Sequence, residues 1–184
     1  MASYVALLRG INVGGKNLIR MPALKACFED GGFEDVVTYI QSGNVLFRST
    51  GSGSALARRI EEMLSSTFSG YRASVVLRSH AQMRAVVAEA PKGFGSKPAA
   101  YRYDVIFLKS PLTASAALRQ VPTREDVDEV FAGRGVLYFS RLTSRAAQSR
   151  LSKVVSMPIY QNMTIRNWNT TTTLLRMMDA GKGG

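Results

Sequence analysis

Glycines, a lysine and two asparagines stand together in Gly10-Ile11-Asn12-Val13-Gly14-Gly15-Lys16-Asn17, which fits G-x-x-x-x-G-K and then departs from it. A phosphate-binding loop of that type needs Ser or Thr next, because the hydroxyl ligates magnesium, and Asn17 replaces it poorly. Such a loop also opens straight into a helix, whereas Leu18 to Met21 separate Lys16 from Pro22. The pattern therefore argues against nucleotide hydrolysis on this loop. A looser chemistry survives: glycines permit a nest of backbone N–H groups that accepts an anion, with Lys16 adding charge. The competing expectation is a corner-turning loop in which Asn12 and Asn17 cap local backbone groups.

A second polar run, Thr164-Ile165-Arg166-Asn167-Trp168-Asn169-Thr170, leads into a helical pattern. Asn167 is placed to cap it, with Thr170 in the first turn. Free N–H groups there, with Arg166 beside them, make an anion site by geometry. Trp168 either stacks on a base or anchors the helix. Arg134-Gly135-Val136-Leu137-Tyr138-Phe139 opens like an RNA-recognition signature but lacks its first aromatic and the small residue after it. Tyr101, Tyr103 and Tyr138 are accordingly expected to pack between sheet and helix.

Other chemistries are narrowed by composition. The 184 residues include one cysteine, Cys27, and one histidine, His80. An intramolecular disulfide and a Cys/His zinc site are thereby excluded, and no metal or cofactor is expected. Cys27 falls on an apolar helix face, and His80 is expected at the surface. The adjacent pairs Glu61-Glu62 and Glu125-Asp126 point apart on helix or strand, so neither forms an acid/base dyad. No catalytic residue is identified, and whether the chain is an enzyme stays open.

Charge is the other strong signal. Twenty-four basic residues against thirteen acidic ones give +11, and seventeen of the basic residues are arginines, whose guanidinium fork grips phosphate. From Arg134 to Gly184 there are eight basic residues and one acid, Asp179. An excess this local attracts polyanions or phosphorylated ligands, although arginine-rich composition can equally fill solvated faces. Arg141, Arg145, Arg150 and Lys153 are the candidate nucleic-acid contacts.

These residues must be positioned by elements that the patterning supplies. With 46% hydrophobic residues the chain is globular. Tyr4 to Leu8 forms a strand, and Pro22 opens a helix ended by Gly31-Gly32. Val36 to Ile40 and Val45 to Phe47 flank the Ser42-Gly43-Asn44 turn, a helix follows over Leu56 to Phe68, and Ser74 to Arg78 is a strand. This β-α-β-β-α-β order is the ferredoxin-like unit. His80 to Ala90 is a linking helix and Pro91 to Pro98 a linker. The order then recurs: strand Tyr101 to Leu108, helix Thr113 to Gln120, strands Val127 to Phe131 and Val136 to Phe139, helix Ala146 to Val155, strand Met163 to Arg166. A closing helix spans Trp168 to Asp179, and Ala180 to Gly184 is a flexible tail. The expected class is α+β: two tandem ferredoxin-like α-β plaits with mostly antiparallel sheets, over 1–90 and 98–184, plus a C-terminal helix.

Plait topology adds an inference. The first two strands run the same way, so the loop leaving one and the turn leaving the other share an edge of the sheet. Arg9, Asn12, Lys16, Asn17, Gln41 and Asn44 are thus brought towards one rim, the first candidate ligand or anion site. Arg166, Asn167 and Trp168 form the second.

Three motifs together, Leu7 to Asn17, Gln41-Ser42-Gly43-Asn44-Val45 and Arg166-Asn167-Trp168-Asn169-Thr170, resemble the bacterial domain-of-unknown-function family 1697. The likeness runs from the first strand to the last helix. It implies two tandem α-β plaits and no established reaction, substrate or cofactor.

Function classes follow. The first is a binding module for nucleic acid or another phosphorylated anionic ligand. The alternative is a small-molecule-binding protein or enzyme using the polar rim of the first plait. The start MASYVALLRG lacks a signal-peptide pattern, and no apolar run reaches the ~18 residues of a membrane span. A cytoplasmic monomer or weak dimer away from membranes is expected.

Overall fold

A computed structural model describes residues 1–12 and 15–181. The described chain is α+β, with two four-stranded antiparallel sheets. Two compact units divide it: Met1–Met83 with Leu174–Gly184, and Arg84–Thr173.

In the first unit β1 (Ala2–Leu8) is followed by α1 (Met21–Asp30), β2 (Glu34–Tyr39), β3 (Asn44–Ser49), α2 (Gly53–Thr67) and β4 (Val75–Ser79). The sheet order is β2-β3-β1-β4, which is the plait order. Apolar residues recur on one helix face because 3.6 residues make a turn: Leu24, Cys27 and Phe28 of α1, and Leu56, Ile60 and Leu64 of α2, are buried. They meet the alternate residues Tyr4, Ala6 and Leu8 of β1 and Val45 and Phe47 of β3 in one core. Phe47 packs against both Phe28 and Phe33, with ring centroids 5.4 and 4.8 Å away.

The helix α3 (His80–Ala88) comes next. His80 departs from its expected surface position: it is 7% exposed, and its Nε2 lies 2.6 Å from Asp179 Oδ1. A ring buried this far needs a polar partner, and one supplied from 99 residues away is invisible to local pattern.

In the second unit β5 (Tyr101–Leu108), α4 (Ala114–Gln120), β6 (Asp128–Ala132), β7 (Val136–Leu142), α5 (Leu151–Val154) and β8 (Met163–Asn167) repeat the scheme, with order β6-β7-β5-β8. Ile106 and Leu108 of β5, Leu137 and Phe139 of β7 and Ala117 of α4 share a core with Leu151 and Val154. The closing helix α6 runs over Trp168–Ala180.

The helix expected over Ala146 to Val155 is not continuous. A 3₁₀ segment spans Thr143–Gln148, with Arg145 out of helical geometry, and α5 covers only Leu151–Val154. Between them Ser149 is extended, its Oγ accepting from Leu151 N, while Asp128 Oδ2 accepts from Arg150 N at 2.9 Å. Side chains thus take backbone donors that a helix would have used.

The Pro91 to Pro98 stretch also differs from a free linker. Phe94 is the hub of an aromatic group, with Tyr103, Tyr138 and Trp168 ring centroids at 4.9, 5.4 and 5.1 Å. Four large rings bury enough apolar surface to fix a Gly/Pro-rich segment in place.

Candidate functional site

The rim of the first unit comes together as topology requires. Leu8 N donates to Gly43 O at 2.8 Å, fastening the end of β1 to the β2–β3 turn. A Cβ on Gly43, whose φ is +81°, would lie 2.6 Å from Ile11 Cδ1, so only glycine allows this approach. Asn12 Nδ2 donates to Ile19 O at 3.0 Å and to Gln41 O at 2.8 Å, and its Oδ1 accepts from Ile19 N. Asn17 Nδ2 donates to Gly10 O, and Asn44 Nδ2 to Tyr39 O and Ser42 Oγ.

Asn12 thus bridges to Gln41, while Asn17 and Asn44 brace their own loops, largely through side chains engaged with backbone. Asn44 is fully buried. The Arg9 carbonyl accepts from Tyr71 Oη. Lys16 is exposed on the same loop. Val13 and Gly14 of the glycine-rich motif lie outside the described residues. This rim locks two connections against each other, which is a positioning role.

The second cluster is different. Asn167 ends β8 and accepts from Thr170 N through Oδ1 at 2.7 Å, capping α6. Trp168 follows, half-buried, its ring perpendicular to Phe94. Arg166 does not join them: it is 7% exposed, its Nη1 donating to Thr164 Oγ1 at 2.7 Å and to Ile165 O. Its Nη1 donors are turned back onto its own strand, and the buried side chain is not among the residues lining the cleft beside Trp168.

β8 pairs with β5 only as far as Asn167 opposite Asp104. Tyr101, Arg102 and Tyr103 extend past that point. Beside them opens a cleft of about 600 Å³, lined by these three residues and by Arg141, Asn167 and Trp168. Arg102 stands opposite Arg141 in the β5–β7 register, so both guanidinium groups project from one face.

Asp104 also lines the cleft, two residues after Arg102 on the same strand. It is 8% exposed, in phase with the core residues Ile106 and Leu108. Its Oδ2 is 3.6 Å from Arg141 Nη2, within ionic attraction but beyond a hydrogen bond. Asp104 Oδ2 and Arg141 Nε are both buried without a hydrogen-bond partner. Burial pushes the Asp104 carboxyl above the ordinary carboxylate value, while Arg141 and Arg102 pull it down.

Tyr138 is a packing residue, its Oη donating to Val86 O at 2.6 Å. Tyr103 packs on Phe94, and it lines the cleft together with Tyr101. Sequence patterning missed Tyr101, Arg102, Tyr103 and Asp104 as a group. The signal was an acid at a core-phased position of an otherwise apolar strand.

Of the basic candidates, Arg141 alone reaches the cleft. Arg145 is held by Gln148 at 3.0 Å in the 3₁₀ segment, Arg150 precedes α5, and Lys153 is exposed on it. The continuous helix expected to carry Arg145, Arg150 and Lys153 is absent.

Among the described residues no group of His, Cys, Asp and Glu is arranged to hold a metal. No helix among them is long and apolar enough to cross a membrane.

The model of a protein family of unknown function, DUF1697, matches residues 1–138. The chain belongs to the DUF1697 family. The DUF1697 fold is also seen in a solved structure described as the conserved bacterial protein SP0830 from Streptococcus pneumoniae. That chain is 26% identical, with a TM-score of 0.82, over 97% of this chain and 99% of that one. Neither description names a ligand or reaction. No curated protein matches the chain.

Proposed function

We propose that this DUF1697 protein binds a small phosphorylated ligand in the cleft beside β5 and the start of α6. The observation that carries this is the pair Arg102 and Arg141, opposed on one face, in a cleft that Tyr101, Tyr103 and Trp168 also line. Guanidinium groups recognise phosphate oxygens through several N–H donors, and aromatic walls favour a ligand with an apolar or planar part. A space of about 600 Å³ suits a small molecule.

The test is binding of a panel of phosphorylated compounds by the full chain, followed through Trp168, the sole tryptophan. Binding that disappears in Arg102→Ala/Arg141→Ala supports the reading. No response from any phosphorylated compound ends it.

Nucleic acid is the second reading, favoured by the net +11. Its contacts would be Arg141, Arg145, Arg150 and Lys153, binding without sequence preference. Such binding must fall by orders of magnitude between ~50 and ~200 mM salt if ~6 or more phosphates are touched. A salt-insensitive or absent shift of DNA and RNA removes it.

A further inference from the structure

The cleft is not a simple anion hole. A carboxylate lines it beside the two arginines, two residues after Arg102 on β5, and a bare phosphate placed there would meet repulsion from Asp104. Both Asp104 Oδ2 and Arg141 Nε lack hydrogen-bond partners, although few buried polar atoms in native proteins do. The ligand that suits this pair offers a donor to the acid and an acceptor to the guanidinium. A hydroxyl group does both at once.

Three requirements then meet in one molecule. Hydroxyls answer Asp104 and Arg141. A planar ring answers Tyr101, Tyr103 and Trp168, which line the same cleft, the two tyrosines from the other side of the open β5 edge. A phosphate answers Arg102, which is exposed at the cleft and close enough to Asp104 to act on its charge. Resting on the phosphorylated-ligand reading above, we infer that the cleft takes a nucleoside monophosphate, with Asp104 and Arg141 gripping the sugar hydroxyls. The size agrees, since mononucleotides fall within the ~300–1,000 Å³ range of small-molecule sites.

The roles separate by position. Arg102 precedes Asp104 on the same face of β5, nearer the strand's exposed start, and is not needed for the hydroxyls; it supplies charge. Asp104 distinguishes a hydroxylated sugar from one without hydroxyls, because binding the latter leaves the acid and Nε unpartnered. Trp168, fixed edge-on by Phe94, needs little ordering when a base arrives.

The experiment titrates the full chain with AMP, UMP, ribose 5-phosphate, inorganic phosphate and 2′,3′-dideoxy-AMP, using calorimetry and Trp168 emission. AMP or UMP is expected to bind at least about tenfold tighter than ribose 5-phosphate, phosphate or the dideoxy nucleotide. In Asp104→Ala the gap between AMP and its dideoxy form should close. If that variant does not fold, the same comparison on the unaltered chain decides. Equal binding of AMP and dideoxy-AMP, or ribose 5-phosphate as tight as AMP, overturns the nucleotide inference and leaves the phosphorylated-ligand reading standing. Silence from every phosphorylated probe overturns both. An RNA oligomer binding far more tightly than either mononucleotide overturns the inference in favour of nucleic acid.

Discussion

His80 and Asp179 meet with Nε2 and Oδ1 2.6 Å apart, joining the first residue of α3 to the last turn of α6. The ring is buried and the carboxylate is half in solvent, with side-chain exposures of 9% and 55%. Loss of either partner is therefore unequal. His80→Ala removes buried volume and a hydrogen bond together, and should cost ~1–3 kcal/mol in urea unfolding. Asp179→Asn keeps the shape and should cost under ~1 kcal/mol. Equal costs would contradict the burial difference.

Asn12 holds Ile19 and Gln41 with one side chain. Asn12→Ala should destabilise the protein by ~1–3 kcal/mol, since it strands backbone groups at the rim. Its effect on ligand binding at the second-unit cleft should be negligible. A normal unfolding midpoint would show that the rim does not depend on this side chain.

Gly95 has φ +83°, and a Cβ there would overlap the Trp168 indole at Nε1. Gly95→Ala should cost ~1–3 kcal/mol from backbone conformation alone. It should also displace the indole, shifting Trp168 emission in the folded state. Unchanged emission with unchanged stability would contradict this packing.

Asp104 has a carboxyl raised by burial. Its protonated form is favoured by folding, so its contribution is fully present below the unfolded pKa near 3.8 and is lost as pH rises through the folded pKa. Asp104→Asn mimics the protonated state at every pH. The stability of the variant relative to the natural chain should therefore increase as pH rises from about 3 towards neutrality. A relative stability that is flat across this interval, or moves the other way, refutes the burial effect.

Much of the fold was legible because local pattern and topology agree. Tyr101 to Leu108 reads as a strand from its composition and forms β5 with those bounds. The strand order placed the Gly10 loop and the Ser42-Gly43-Asn44 turn at one edge, and the Asn12–Gln41 bond joins them. Asn167 was legible as a cap because capping is a local property. The broken helix around Ser149 was not, because Asp128 acts from 22 residues away. Nor was the cleft: it depends on where β8 stops against β5, and strand ends are set by pairing rather than by spacing. Arg166 looked available because sequence does not tell which way a strand residue turns.

The first compact unit is discontinuous along the chain, closing only with residues from Leu174 onward. A nascent chain therefore exposes all of Arg84–Thr173 before the first unit can be finished. At about 5–20 residues per second, that interval lasts on the order of ten seconds. The later unit has its whole sequence available first, so the order of completion on the ribosome runs opposite to the order of the strands. Cutting the chain between the two sheets would leave the earlier one without its final piece, whereas a permuted chain beginning at Leu174 would carry that piece at its head.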